Sequence, residues 1–186
     1  MQGHPVSFSS TTITELMVPA HTNFGGKVHG GYVLSLMDKV AYTCASRHAG
    51  TYCVTVSVDT VNFLQPVDVG ELLVFQASVN FVGGSSIVVG MRVTSENVQT
   101  RVTRHTNTSY FTMVAKGEDG RLVKVPPLVL ETEDDVRRYA AALKRRELRQ
   151  QAAVSMKAFD PDHFTVDEQI TERLGKERCI VNVPAQ

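Results

Sequence analysis

Neither sign of charge is in excess in this 186-residue chain, where 19 Lys+Arg stand against 19 Asp+Glu. No global field therefore draws it to nucleic acid or to an anionic membrane, although a local patch is still allowed. Cysteine is scarce: Cys44, Cys53 and Cys179 are an odd number in no metal-ligand spacing, and two of them sit inside apolar patterns as small buried thiols. The opening residues, MQGHPVS, lack the charged and apolar regions of a secretion signal. No apolar run approaches the roughly 18 residues of a membrane span. These absences lead us to expect a cytoplasmic protein with reduced thiols and no membrane insertion.

What is present is ordinary for a globular domain: 42% hydrophobic and 20% charged residues, enough for one core plus an extension. Residues 8 to 18 read as a first strand. From Gly30 to about His48, the apolar positions Val33, Leu36, Met37, Val40, Ala41, Cys44 and Ala45 recur at helical spacing. Leu34 and Asp38 fall on a margin of that arc, with Ser35, Lys39, Tyr42 and Ser46 opposite. After Gly50 the period changes to two. TYCVTVSVDTVNFL sets Val54, Val56 and Val58 against Thr55, Ser57 and Asp59. LLVFQASVNFV alternates through Leu73, Phe75, Ala77, Val79 and Phe81, and SSIVVGMRVTS through Ile87, Val89, Met91 and Val93. RHTNTSYFTMVAK supplies the last strand. One strand, one long helix and four strands on short connections make an α+β antiparallel meander with a single helix to cover. Pro126-Pro127 marks a boundary, beyond which Thr132 can cap a second helix that is acidic at its start and basic from Arg137 to Arg149. The division is 1–125, then 126–157 as linker and basic helix, then 158–186 as a tail or peripheral extension.

Several motif readings fail. A phosphate loop at Gly26-Lys27 would need a glycine five positions earlier and a hydroxyl residue after it, where the chain has His21 and Val28. His21, His29 and His48 have no metal-ligand spacing, and no Gly-x-Ser-x-Gly elbow occurs. The stretch HTNFGGKVHGG is more informative. Gly30 and Gly31 open the helix, where unpaired N–H groups and the dipole can hold a carbonyl oxygen developing negative charge. A plain tight turn, a loop-capping Asn23 and a surface Asp38 paired with Lys39 or a strand remain the plain alternatives. Arg137-Arg138 and Lys144-Arg145-Arg146 can equally be a solvated face or cations for an anionic ligand.

Residues 15 to 125 resemble the hot-dog-fold acyl-CoA thioesterases, and more closely the bacterial and mammalian cytosolic acyl-CoA hydrolases. The resemblance lies in Asn23-x-x-Gly26, His29-Gly30-Gly31, Met37-Asp38, the run from Ala45 to Gly50, Cys53 to Asp59, Asn62-Phe63, Pro66-Val67, Phe111 to Ala115 and Pro126-Pro127. It implies a curled antiparallel sheet around one helix, paired into dimers, three of which often make a hexamer. It also implies an acyl-CoA substrate, no cofactor beyond the coenzyme A of that substrate, and a site combining Asn23 of one subunit with Asp38 of the other. Asp38 would be general base or, alternatively, nucleophile; amides at Gly30 and Gly31 would hold the oxyanion. Coenzyme A contacts would come from Val56, Ser57, Val58, Ser85, Ser86, Ile87 and Arg146. The chain departs from its relatives at Gly84, where an arginine is common, so Lys144, Arg145 and Arg146 would carry more of the phosphate contact. Leu34 and Phe63 are candidates for the acyl tunnel. A dehydratase using His29 and a non-catalytic acyl-CoA or nucleotide binder are the other readings of such a fold.

Overall fold

The computed structural model describes residues 2–159, 164–180 and 182. A short strand, β1 (His4–Pro5), leads into a four-residue helical turn, α1 (Val6–Ser9), and then strand β2 (Thr11–Leu16). The expected first strand thus begins later and ends sooner, because Ser10 closes α1 with its N–H and hydroxyl both on the Val6 carbonyl. Helix α2 (Gly30–Ala49) follows, then strands β3 (Tyr52–Val58), β4 (Leu72–Val82), β5 (Ser86–Asn97) and β6 (Val102–Lys116), a short β7 (Leu128–Val129), and helices α3 (Glu133–Ala158) and α4 (Glu168–Leu174).

Strands β2 to β6 form one antiparallel sheet in the order β2-β4-β5-β6-β3, so β2 and β3 are its edges. Helix α2 lies across one face. Its Val33, Met37, Val40, Ala41, Cys44 and Ala45 are buried against Phe75, Val79, Ile87, Val89, Met91, Phe111 and Met113. This is the arc expected from periodicity, and the arrangement is the hot-dog one. Ser46, placed on the solvent side by its spacing, instead has its hydroxyl buried. At 20 residues the helix is about 30 Å long, its N-terminus capped by His29 and its C-terminus closed by Gly50 at φ 68°.

Bulges redirect two strands whose alternation looked regular. The β4–β5 register shifts between Val79 and Phe81, leaving Asn80 as the extra residue and turning Phe81 to the other face of the sheet. There it packs with Val88, Tyr110 and, on α3, Tyr139 and Ala142. A second shift, between Thr55 and Ser57, isolates Val56. Cys53, Thr55 and Val58 then pair with the inward-facing Ala115, Met113 and Phe111, so Val58 shares a face with Thr55 rather than with Val54. The strand also stops at Val58; residues 59–71 run as a loop pinned by Asp59 N–H on the Tyr110 carbonyl and Leu64 N–H on the Thr106 carbonyl.

Thr132 caps α3 as its sequence suggests: its hydroxyl accepts from Asp135 N–H at 3.1 Å, and the Asp135 carboxylate accepts from Thr132 N–H at 3.1 Å. Two compact units divide at Leu143 and Lys144, inside α3. The second unit holds the rest of α3 and α4. Part of the expected tail, 158–186, lies outside the described residues. No described helix is long and apolar enough to cross a membrane.

Candidate active site

Asn23 sits in the loop between the turn Pro19–His21 and α2. Its Oδ1 accepts from Gly25 N–H at 2.9 Å and Lys27 N–H at 3.2 Å, and its own N–H donates to the Lys27 carbonyl at 2.7 Å. The loop-capping role is therefore real. It also fixes the amide: with Oδ1 used twice, the NH₂ is the end that points away from the loop. An ionic network holds the loop from outside. Lys27 pairs with Asp68, Arg104 with Asp68 and the buried Glu71, and Glu71 also accepts from Asp68 N–H.

At the start of α2 the two glycine amides differ. Gly31 N–H donates to His29 Nδ1 at 2.9 Å, whereas Gly30 N–H has no acceptor among the described residues. Gly30 is the amide open to a ligand oxygen at the positive end of the helix. The missing side chain matters here, since a Cβ at Gly30 would lie 3.3 Å from the Phe63 ring. His29 spends its Nδ1 lone pair on the cap.

Asp38 lies two turns further on, half-buried at the margin of the packed arc. Its Oδ1 accepts from Thr55 Oγ1 at 2.6 Å, and Thr55 Oγ1 also touches Met113 Sδ at 3.2 Å. Both residues border an open cleft of about 380 Å³ between α2 and β3, with Lys39, Tyr42 and Tyr52 on its rim. Thr55 was not singled out from sequence. The signal was its place on the inward-facing register of β3, which brings it to α2.

The remaining candidates separate into two groups. Thr55, Met113 and Ile87 stand in one cross-strand row, so Val56-Ser57-Val58 and the hairpin end Ser85-Ser86-Ile87 lie two strands apart at one region of the sheet. Ile87 is fully buried, so its side chain belongs to the core. Arg146 lies on α3 beyond Lys144, in the second unit. Along α2, eight residues separate Gly30 from Asp38, a rise of about 12 Å.

The thioesterase superfamily model matches residues 25–102. Protein VdlD of Helicobacter pylori is 49% identical over 134 residues, 72% of this chain and 76% of that protein. An uncharacterized acyl-CoA thioester hydrolase of Bacillus subtilis, YkhA, is 33% identical over 74% of this chain and 80% of its own length. Among solved structures, an apo-hexameric acyl-CoA thioesterase superposes with a TM-score of 0.79 at 37% identity, covering 82% of this chain and 98% of that one. An acyl-CoA hydrolase of Staphylococcus aureus, solved with butyryl coenzyme A and coenzyme A, gives 0.76 at 28% identity over 93% and 99%. Alanine variants of the S. aureus enzyme at an asparagine, an aspartate and a threonine have also been solved, and those positions are spaced by fifteen and then seventeen residues. The chain described above, from its curled sheet to its glycine-led helix, belongs to the acyl-CoA thioester hydrolases of the thioesterase superfamily.

Proposed function

We propose that this chain hydrolyses acyl-CoA thioesters to a free fatty acid and coenzyme A, in a site shared by two copies. The observation that carries the reading is the carboxylate of Asp38, gripped by Thr55 at the mouth of an open cleft. Asn23, Asp38 and Thr55 repeat the fifteen and seventeen spacing of the three S. aureus positions, which supports treating them as one constellation.

A thioester needs little acid assistance, because its thiol leaving group has a pKa of about 8.5. The demands are an activated water and a home for the oxyanion. Asp38 Oδ1 is engaged by Thr55, so Oδ2 accepts the proton of the attacking water. The water oxygen bonds to the carbonyl carbon, and the carbonyl oxygen takes the charge. Gly30 N–H and the helix dipole stabilise it, with Asn23 NH₂ as a second donor. Collapse expels the coenzyme A thiolate. His29, committed to the helix cap, is given no proton-transfer role.

The rise of about 12 Å between Gly30 and Asp38 supports two copies, with the amide end of one α2 meeting the carboxylate of the other. The open edge of β3, with Tyr52, Val56 and Val58 exposed, is the surface we assign to that pairing. The hexameric thioesterase among its structural relatives supports a trimer of such dimers. Val56 to Val58, Ser85 to Ile87 and Arg146 remain the proposed coenzyme A contacts, Ile87 through its backbone. We place the enzyme in the cytoplasm, where Cys44 and Cys53 stay thiols.

The test is a screen of purified protein across short, medium and long acyl-CoAs, following thioester absorbance and free thiol together. Asp38→Ala should lower kcat by on the order of 100-fold or more while the assembly mass holds. Near-normal turnover in Asp38→Ala would remove this residue from the mechanism. Tight retention of acyl-CoA with no turnover in wild type would instead make the chain a binding protein.

A further inference from the structure

A second cavity, of about 470 Å³, lies on the opposite face of the sheet from α2. Its floor is two cross-strand rows, Gln76–Arg92–Thr108 and Ser78–Gly90–Tyr110. Alternate rows, such as Val79–Val89–Phe111, face α2 and the cleft of Asp38. Arg137 and Arg138 of α3 complete the wall, and every charged side chain lining the cavity is an arginine.

The polar groups in it are oriented, not merely gathered. Arg138, which can only donate, gives Nη1–H to Ser78 Oγ at 3.1 Å. Ser78 therefore spends its own proton on Asn80 Oδ1, at 3.1 Å. That leaves the Asn80 NH₂ over Gly90, and this NH₂ has no acceptor among the described residues although the residue is only 6% exposed. The bulge at Asn80 aims it, and Gly90 makes the room: a Cβ there would lie 2.1 Å from Asn80 Nδ2. Asp134 pairs with both Arg137 and Arg138, but Arg92 has no ion pair among the described residues. Three guanidinium charges against one carboxylate leave the cavity positive by two.

We propose that this cavity is an oxyanion site distinct from the acyl-CoA site, taking the phosphate or diphosphate group of a small molecule. A buried amide with an unused NH₂, flanked by guanidinium donors and no lining carboxylate, suits a ligand that only accepts. Within a protomer the sheet separates it from Asp38, and none of Val56 to Val58, Ser85 to Ile87 or Arg146 lines it.

The experiment titrates inorganic pyrophosphate by calorimetry into the full-length assembled protein already saturated with free coenzyme A, at constant ionic strength. Saturable binding is expected in wild type, weakened on the order of tenfold or more in Arg92→Gln and in Asn80→Asp, which sets a carboxylate where the amide stood. KM for acyl-CoA without pyrophosphate should stay unchanged in Arg92→Gln, and light scattering should give the wild-type mass. The proposal is overturned by absent binding, by wild-type affinity in both variants, or by loss of binding once coenzyme A is present. A raised KM would assign the pocket to the substrate path, and a changed assembly mass would assign it to a neighbouring copy. Whether the chain binds coenzyme A is read separately from its own titration.

Discussion

Replacing Thr55 by valine keeps the shape of the side chain and removes the hydroxyl that grips Asp38. The bond is short, 2.6 Å, and its acceptor is a carboxylate, so it falls in the charge-assisted class worth about 1.5–3 kcal/mol. Thr55 is exposed and Asp38 half-buried, which places the contribution at the low end, about 1.5 kcal/mol. At 1.36 kcal/mol per decade, kcat should fall by about tenfold. The water-facing oxygen would still be present but less well aimed, so KM should hardly move. Thr55→Ser, which restores the hydroxyl, should recover most of the rate. The thermal unfolding midpoint should fall by only about 3–6 °C, the shift that about 1.5 kcal/mol produces in a chain of this size. The measurement is free thiol release over a range of acyl-CoA concentrations, with melting curves on the same preparations. Valine and wild-type proteins with equal kcat would refute the assignment of Thr55 as the residue that positions the base.

Other expectations concern the frame around the site. Phe111→Ala empties a fully buried position beneath α2 and should cost about 3–5 kcal/mol, seen as a drop of about 10 °C or more in Tm. Arg104→Met strands the Glu71 carboxylate, 5% exposed, and should destabilise by about 2–3 kcal/mol in denaturant unfolding; adding Glu71→Gln should recover much of it. His48 is fully buried, donates Nε2–H to the Pro126 carbonyl at 3.0 Å, and has its Nδ1 unpartnered. Burial holds its pKa below the ordinary 6.5. The unfolded chain thus takes up the proton first as pH falls through 6.5, so stability should decline below that pH and be flat above it on this account. Denaturant midpoints between pH 7.5 and 5.5 should fall less steeply in His48→Gln; an identical slope would clear His48 of the effect. Burial also pushes the Cys44 thiol up to about 12, so thiol reagents at neutral pH should leave it unmodified in the native protein.

Periodicity marked the long elements because burial on one face is what writes a period into a sequence. Helix α2 and strand β4 lie where their apolar spacing put them, and β5 and β6 within two residues of it. What escaped was set by geometry that the pattern does not encode. An extra residue at Asn80 or Val56 changes the face of everything after it, yet no residue type announces a bulge there. The stretch beyond Val58 keeps strand-forming residues, but its backbone groups leave the ladder before Pro66. The local half of the site was legible, since Asn23 caps its own loop and Gly30 opens its own helix. Thr55 was not, because its partner is seventeen residues away on another element. Nor was the Asn80–Gly90 niche, which exists only once two strands are in register.

Strand β3 carries Thr55 on one side of its backbone and ends the sheet with the other. Whatever docks along that margin leans on the same few peptide units that steady the Asp38 carboxylate. Specific activity should then vary with protein concentration, falling on dilution as solitary chains accumulate, and a substrate long enough to reach both copies would hold them together while it is being cut.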